Sequence, residues 1–261
     1  MKRHRPVRAW IGEAHTDPAE LCGPRGLVEE VLSEAEPEDS APVGDDAFFA
    51  SLMTPERLAR IDAVIEARLE SVTAVLDRLV DPHNVAAILR TSEGLGLCEV
   101  HVVPGADGDG LAHRKVTQDA HKWIDVVQHD SGPAAARSLA GRGFAVFAGH
   151  LERGARPPLD LPVDRPIALL FGHEHEGPSR ETLDACTGTF RIPMAGFTQS
   201  FNVSVAAGIA LSQICAGRRA FLKKPGDLDV PQKQALRSRY LRLGAKLARR
   251  LRHGPLPTKE R

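Results

Sequence analysis

The sequence predicts an α/β fold, a mostly parallel sheet flanked by helices, and three observations carry that prediction. Between residues 71 and 222, short apolar stretches alternate with amphipathic stretches of helical spacing. "PIALLFG" at 166–172 is apolar throughout, as a central strand covered on both faces must be. Capping signals punctuate the helical stretches, from Thr54-Pro55 at one start to the glycine that closes "PAAARSLAGRG".

Residues 1–53 mix Pro, Gly, Glu and Asp without sustained periodicity, so they read as an acidic, largely disordered extension with a short helix near 26–34. Order is expected from Thr54, where "PERLARIDAVIEARLE" takes up helical spacing. Then follow a strand at 71–79, a loop and helix at 81–96, and strands at 98–103 and 122–127. A helix at 133–143 leads to a strand at 144–151, the central strand at 166–172 and a helix at 179–186. A strand at 188–194 and a long helix at 202–222 complete a domain over 54–222. There is no internal repeat.

Residues 223–261 read as a basic tail. In 231–253 the apolar residues Leu236, Tyr240, Leu243, Leu247 and Leu251 recur at spacings of 4, 3, 4 and 4, with eight Lys/Arg and no acid between them. Charge balances over the 261 residues, but the ends differ. Residues 1–50 hold 11 acids and 5 Lys/Arg, whereas 218–261 hold 14 Lys/Arg and 3 acids. A cationic helix face of this kind suits phosphates. It lacks the Trp and Phe of a membrane-surface helix. No apolar run approaches the ~18 residues of a membrane span, and "MKRHRPVRAW" lacks the apolar core of an export signal. Cys22, Cys98, Cys186 and Cys215 form no CxxC pair, which fits a reduced cytoplasmic compartment with buried thiols.

Three polar clusters stand at strand or helix ends, where α/β proteins place ligands. In "DPHNVAAILRTSEGLG", Asn84 suits a helix cap. Arg90, among Val85, Ile88, Leu89 and Leu95, calls for an anionic partner, because burying an unpaired charge is costly. In "LLFGHEHEGPS", Gly172 lets the backbone approach a ligand and Glu174 follows at once. His173 and His175 lack the H-E-x-x-H helix of a metal site, and no Pro-Cys-x-x-Cys of a zinc deaminase follows. No metal is expected. In "RIPMAGFTQSFNVSVAAG", Ser200 or Asn202 caps the long helix, and two short polar groups beside Thr198 and Gln199 suggest that the unsatisfied N–H groups there also meet a ligand.

The order of these three stretches, ending in "IPMAGFTQSFNVSVAAGIAL", resembles the three motifs of the SpoU branch of the SPOUT RNA methyltransferases. The helix before the first motif, "HKW" at 121–123 and the basic C-terminal helix look most like the tRNA (guanosine-2'-O-)-methyltransferases. The resemblance covers 54–222 well, the tail loosely and 1–53 not at all. It implies a deep C-terminal trefoil knot, a homodimer and S-adenosyl-L-methionine bound by Gly149, His150, Leu151, Gly172, Ile192, Met194 and Phe201. No G-x-G-x-x-G follows the first strand, in keeping with a cofactor site of that unusual kind.

By the same carry-over, Arg90, Asn84, Glu174, Ser200 and Asn202 match the catalytic and structural positions. The implied reaction methylates a ribose 2'-hydroxyl in tRNA, at the D-loop guanosine in position 18. Ribosomal RNA, or RNA binding without catalysis, are the alternatives. Asn84 and Glu174 would hold Arg90, with Ser200 and Asn202 orienting it against the cofactor. The sequence departs from the family pattern at Phe201, where leucine is usual, and at His175 and Pro178.

Overall fold

The structure, a computed structural model, describes residues 46–105, 122–152 and 154–253, the last eight of these as helix path only. Six strands form one sheet: β1 (Val72–Asp77), β2 (Glu99–Val103), β3 (Asp125–Gln128), β4 (Ala145–Gly149), β5 (Ile167–Phe171) and β6 (Gly188–Phe190). Their order is β3-β2-β1-β5-β4-β6, and every neighbouring pair runs parallel. The apolar runs at β1 and β5 lie side by side in the middle, buried along their whole length.

Two helical layers cover the sheet, because alternate strand residues point to opposite faces. On one face α3 (Pro82–Leu95) and α6 (Val203–Leu222) pack Ile88, Leu89, Ala207, Leu211 and Ile214 against Val72, Ala74, Leu76 and Leu169. On the other, α4 (Gly132–Gly141) and α5 (Arg180–Ala185) cover Val75, Val146, Ala168 and Leu170, with Ala135, Ala136 and Leu139 at the contact. Each fully buried Val, Leu or Ile stabilises this packing by about 1.5–3 kcal/mol.

A third cluster joins the ends of the described chain. α1 (Asp46–Ser51) and α2 (Pro55–Glu66) pack on α7 (Val230–His253), with Ile61, Ile65, Tyr240 and Leu241 buried and Phe49, Met53 and Trp123 beside them. Thr54 caps α2 as expected, its hydroxyl accepting from Arg57 N at 3.3 Å. Arg68, 1% exposed, holds the cluster to the sheet domain. Its guanidinium donates to Glu93 O, Leu97 O, Trp123 O and the Glu93 carboxylate, and lies 5.6 Å from the centre of the Tyr240 ring.

Two expectations change here. Asp46–Ser51 is a helix within the stretch assigned to disorder, since Phe49 and Met53 find apolar cover on α7. The helix expected near 26–34 lies outside the described residues. The first half of α7 packs on the domain as its apolar spacing implies, with Tyr240, Leu241 and Ala245 buried. Strand ends differ as well. β3 starts at Asp125, β4 stops at Gly149 and β6 at Phe190, so the residues beyond them are loop at the edge where the strands end.

Candidate active site

All strands being parallel, their C-terminal ends share one edge, and the three polar clusters meet there. Gly172 leaves β5 in a space no side chain could enter. A Cβ there would lie 2.6 Å from Gly177 C, 2.8 Å from Pro178 Cδ and closer still to Pro178 N. The crowding comes from a tight turn. Gly177, at φ 70°, donates its N–H to His173 O at 2.8 Å, and the His173 ring accepts from the His175 and Glu176 amides at 3.2 and 3.3 Å. The His-Glu-His-Glu string is thus a turn closed by its first imidazole.

That turn aims Glu174 at the loop beyond β1. Its carboxylate accepts from Val80 N at 3.0 Å, Asp81 N at 3.2 Å and Asn84 Nδ2 at 3.2 Å. Burial pushes the Glu174 carboxyl up, but the Val80 amide, its own backbone and the Asn84 and Asp81 donors outweigh it, and the net shift is downward. Asn84 in turn accepts from Asn202 Nδ2 at 3.0 Å. Asn202 Oδ1 caps α6, accepting from Ser204 N at 2.9 Å and Val205 N at 3.4 Å. One polar relay, Glu174–Asn84–Asn202, therefore ties three chain segments together. Since Glu174 only accepts, the relay fixes which way both amides face.

Several sequence expectations are corrected by this geometry. Asn84 does not cap its helix; Asp81 does, through His83 N at 2.8 Å, which frees the Asn84 amide for the relay. Of the two cap candidates for α6, Asn202 is the cap and Ser200 lies exposed. Asn84 and Glu174 hold each other rather than Arg90.

Arg90 is exposed, although its sequence neighbours are apolar. On α3 the buried residues are Asn84, Val85, Ile88, Leu89 and Ser92, and Arg90 falls on the opposite stripe with His83, Ala87 and Gly94. It has no hydrogen bond or ion pair among the described residues, so no burial cost has to be met. Its helix is nonetheless held against the long helix of the third motif, for Gly208 and Thr91 meet across α6 and α3.

The residues expected to hold a cofactor gather at the ends of adjacent strands. Gly149, His150 and Leu151 close β4, Gly172 closes β5, and Ile192 and Met194 follow β6. His150 donates its backbone N–H to Phe190 O at 2.9 Å. Its ring Nδ1 is buried without a hydrogen bond, 3.8 Å from Glu152, and so offers an unmet polar atom to a ligand. Leu151, Phe197 and Phe201, in the loops after β4 and β6, are exposed, Phe201 by 40%. Exposed apolar side chains and one unpartnered polar atom on these loops fit a nucleoside-bearing cofactor. Sequence reasoning did not find the Val80 and Asp81 amides, which carry no side-chain signal, or Arg68, whose partners are mostly backbone carbonyls.

A parallel α/β sheet that gathers a polar relay at its C-terminal edge has the layout of a ligand-binding enzyme domain. Comparison with known proteins narrows this. The chain belongs to the SpoU rRNA Methylase family, which it matches over residues 71–212. It is 38% identical over 158 residues to the tRNA (guanosine(18)-2'-O)-methyltransferase of Thermus thermophilus, covering 60% of this chain and 81% of the relative. The crystal structure of the TrmH/SpoU tRNA-modifying enzyme of A. aeolicus superposes with a TM-score of 0.64 at 26% identity, over 72% of this chain and 96% of that one. The SpoU methyltransferase AviRb of Streptomyces viridochromogenes, solved in complex with AdoMet, aligns with a TM-score of 0.50 at 25% identity, over 59% and 62% of the two chains.

Proposed function

We propose that this protein transfers a methyl group from S-adenosyl-L-methionine to the ribose 2'-hydroxyl of guanosine 18 in the D-loop of tRNA. The observation that carries the proposal is the Glu174–Asn84–Asn202 relay at the sheet edge, beside a helix that offers an uncommitted guanidinium at Arg90. The activity follows the relatives, and the relay supplies the rigid frame that such a transfer needs.

Gly149, His150, Leu151, Gly172, Ile192, Met194 and Phe201 would hold the cofactor, which supplies an electrophilic methyl group on a sulfonium. The chain's task is then alignment, since placing a nucleophile in line with its target removes ~7–11 kcal/mol of barrier in well-oriented systems. A guanidinium such as that of Arg90 is a poor base. Its role is to grip the phosphate next to the reacting sugar and to polarise the 2'-hydroxyl, whose proton passes to that phosphate or to water as the methyl arrives. The relay supports this indirectly by fixing the start of α3 against the turn after β5 and the start of α6. Ser200, exposed in the loop before α6, is left free for cofactor or substrate. The deep trefoil knot is part of the same reading.

A homodimer completes the site in this proposal. The stripe of His83, Ala87, Arg90 and Gly94 is exposed among the described residues, and small residues there allow close approach of a second copy. No helix among the described residues is long and apolar enough to cross a membrane, and a cytoplasmic location is proposed with the tRNA substrate. The test is incubation with unmodified tRNA, unmodified ribosomal RNA and methyl-labelled cofactor, followed by mapping of the methylated nucleotide. Label at the 2'-oxygen of guanosine 18 supports the proposal, whereas label only in ribosomal RNA, or none, overturns it.

A further inference from the structure

Away from the polar relay, a row of ionisable side chains runs from the end of α4 to the outer strand. Arg142, which follows α4, reaches the Glu99 carboxylate on β2 at 2.6 Å. Glu99 Oε1 faces His101 Nε2 at 3.1 Å, and His101 Nδ1 faces His129 Nε2 at 2.8 Å. His101 is 1% exposed, so neither of its ring nitrogens can turn to water. Among the described residues, the charged groups facing the two rings are Glu99, Asp130 after β3, and Arg142.

This row has a fixed capacity for protons. Burial pushes the Glu99 carboxyl up, but hydrogen bonds from His101 and Arg142 outweigh it and hold it below its ordinary value. An anionic Glu99 only accepts, so His101 Nε2 carries a proton directed at it. At 2.8 Å, one hydrogen fits between the two rings and two do not. One added proton can enter at His129 Nδ1, on the half-buried ring. A second would have to sit between the rings. Even the first is resisted, because burial, then His101 and Arg142, push His129 down against the pull of Asp130 and Glu99.

What the row fastens is a lightly held strand. β3 lies at the edge of the sheet, pairs with β2 alone and exposes three of its four residues. It also carries the grip of the sheet on α7. Three ion pairs line the first half of that helix: Lys233 with Glu66 at 2.5 Å, Arg237 with Asp62 at 2.8 Å and Arg239 with Asp125 at 2.6 Å. The first two end on α2, whereas the third ends on β3, beside Trp123, whose carbonyl accepts from the Tyr240 hydroxyl at 2.8 Å. We propose that Glu99, His101 and His129 form an acid-operated latch on β3, which stays closed with one added proton and is forced open by the second. Opening lets both imidazoles charge. Each pH unit below the ordinary imidazole value of 6.5 therefore multiplies the open population about tenfold for every proton the closed row excludes. The latch is at full strength above 6.5 and weakens as pH falls below it. α7 then loses its attachment to the sheet and keeps the one to α2.

The test is hydrogen exchange on the full chain, read by mass spectrometry and corrected for the intrinsic effect of pH. From about pH 7.5 to about pH 5.5, protection of β3 should fall at least about tenfold, while that of β1 and β5 stays within about threefold. His129→Gln leaves one imidazole, and its amide oxygen can accept from a charged His101, so the fall at β3 should shrink to less than about threefold. The same flattening is expected of His101→Gln, which keeps only the other imidazole. Protection of β1 and β5 at neutral pH shows that each variant is folded. A wild-type β3 equally protected at both pH values overturns the latch, as does a loss shared by β1 and β5, which is global unfolding. Undiminished acid sensitivity in a folded variant assigns the effect to other groups and overturns it too. Hydroxyl-radical labelling of Tyr240, the single tyrosine, reads the link to α7. Labelling that rises as β3 opens supports that link, and labelling that stays at its neutral level overturns it.

Discussion

Asn202 makes two kinds of bond at once, and two substitutions separate them. Its Oδ1 caps α6, and its Nδ2 satisfies the buried Asn84 carbonyl. Asn202→Ala removes both. Removing the cap costs about 1 kcal/mol, and a buried acceptor left unpaired costs about 1–3 kcal/mol. Partial exposure of the relay favours the low end, so about 2–3 kcal/mol is expected in total. Asn202→Asp keeps the cap, because Asp caps as well as Asn. It cannot donate to Asn84, however, and an Asn84 amide flipped to serve the new carboxylate would turn its oxygen on the Glu174 carboxylate. The aspartate variant should therefore lose about 1–2 kcal/mol with the cap intact. At about 2–4 °C per kcal/mol for a domain of this size, thermal unfolding followed by circular dichroism places alanine below aspartate, and aspartate below wild type. Methyl transfer to tRNA should fall in both. An aspartate variant as stable and active as wild type would mean that the relay is not formed, and the assignment of Asn84 and Asn202 would go with it.

Three further outcomes are expected. Arg90→Ala should abolish methyl transfer while changing stability by less than about 0.5 kcal/mol, as befits an exposed side chain; a large drop in unfolding temperature would contradict its exposure. Glu174 has a folded-state pKa below its ordinary value of 4.5, so its contribution is present above that value and lost as pH falls through the depressed one. The stability gap between wild type and Glu174→Gln should accordingly close on acidification below about pH 4.5, and a gap that widens there refutes the sign. Truncation after Ala245 removes Lys246, Arg249, Arg250 and Arg252 but spares the buried Tyr240, Leu241 and Ala245. It should weaken tRNA binding and flatten its logarithmic salt dependence by about 0.7–0.9 for each phosphate no longer neutralised, with the fold kept; unchanged affinity across salt would exclude the tail from binding.

Most of the sheet was legible in the sequence because burial on both faces leaves no room for polar letters, as in "PIALLFG". The site was legible at the level of which segments meet. It was less so at the level of what each side chain touches. Arg90 misled because nearness in sequence is not nearness on a helix: one hundred degrees per residue carries it away from Ile88 and Leu89. The three ion pairs that tame the first half of α7 join residues more than a hundred positions apart, which no local pattern reports. α1 was missed because its order comes from α7 rather than from its own six residues. The choice between Asp81 and Asn84, and between Ser200 and Asn202, turned on backbone geometry that two equally good capping residues leave open.

The two central strands also govern how the chain is made. Val72 and Ile167 are direct neighbours, yet they stand ninety-five positions apart in the chain. During synthesis β1 waits with one side uncovered until nearly everything between has left the ribosome, and closure of the middle comes late. Such distant pairing slows folding and leaves an adhesive edge open to other nascent chains. Producing this protein in quantity will therefore depend on how fast translation proceeds between those two strands and on chaperones that shield the first of them.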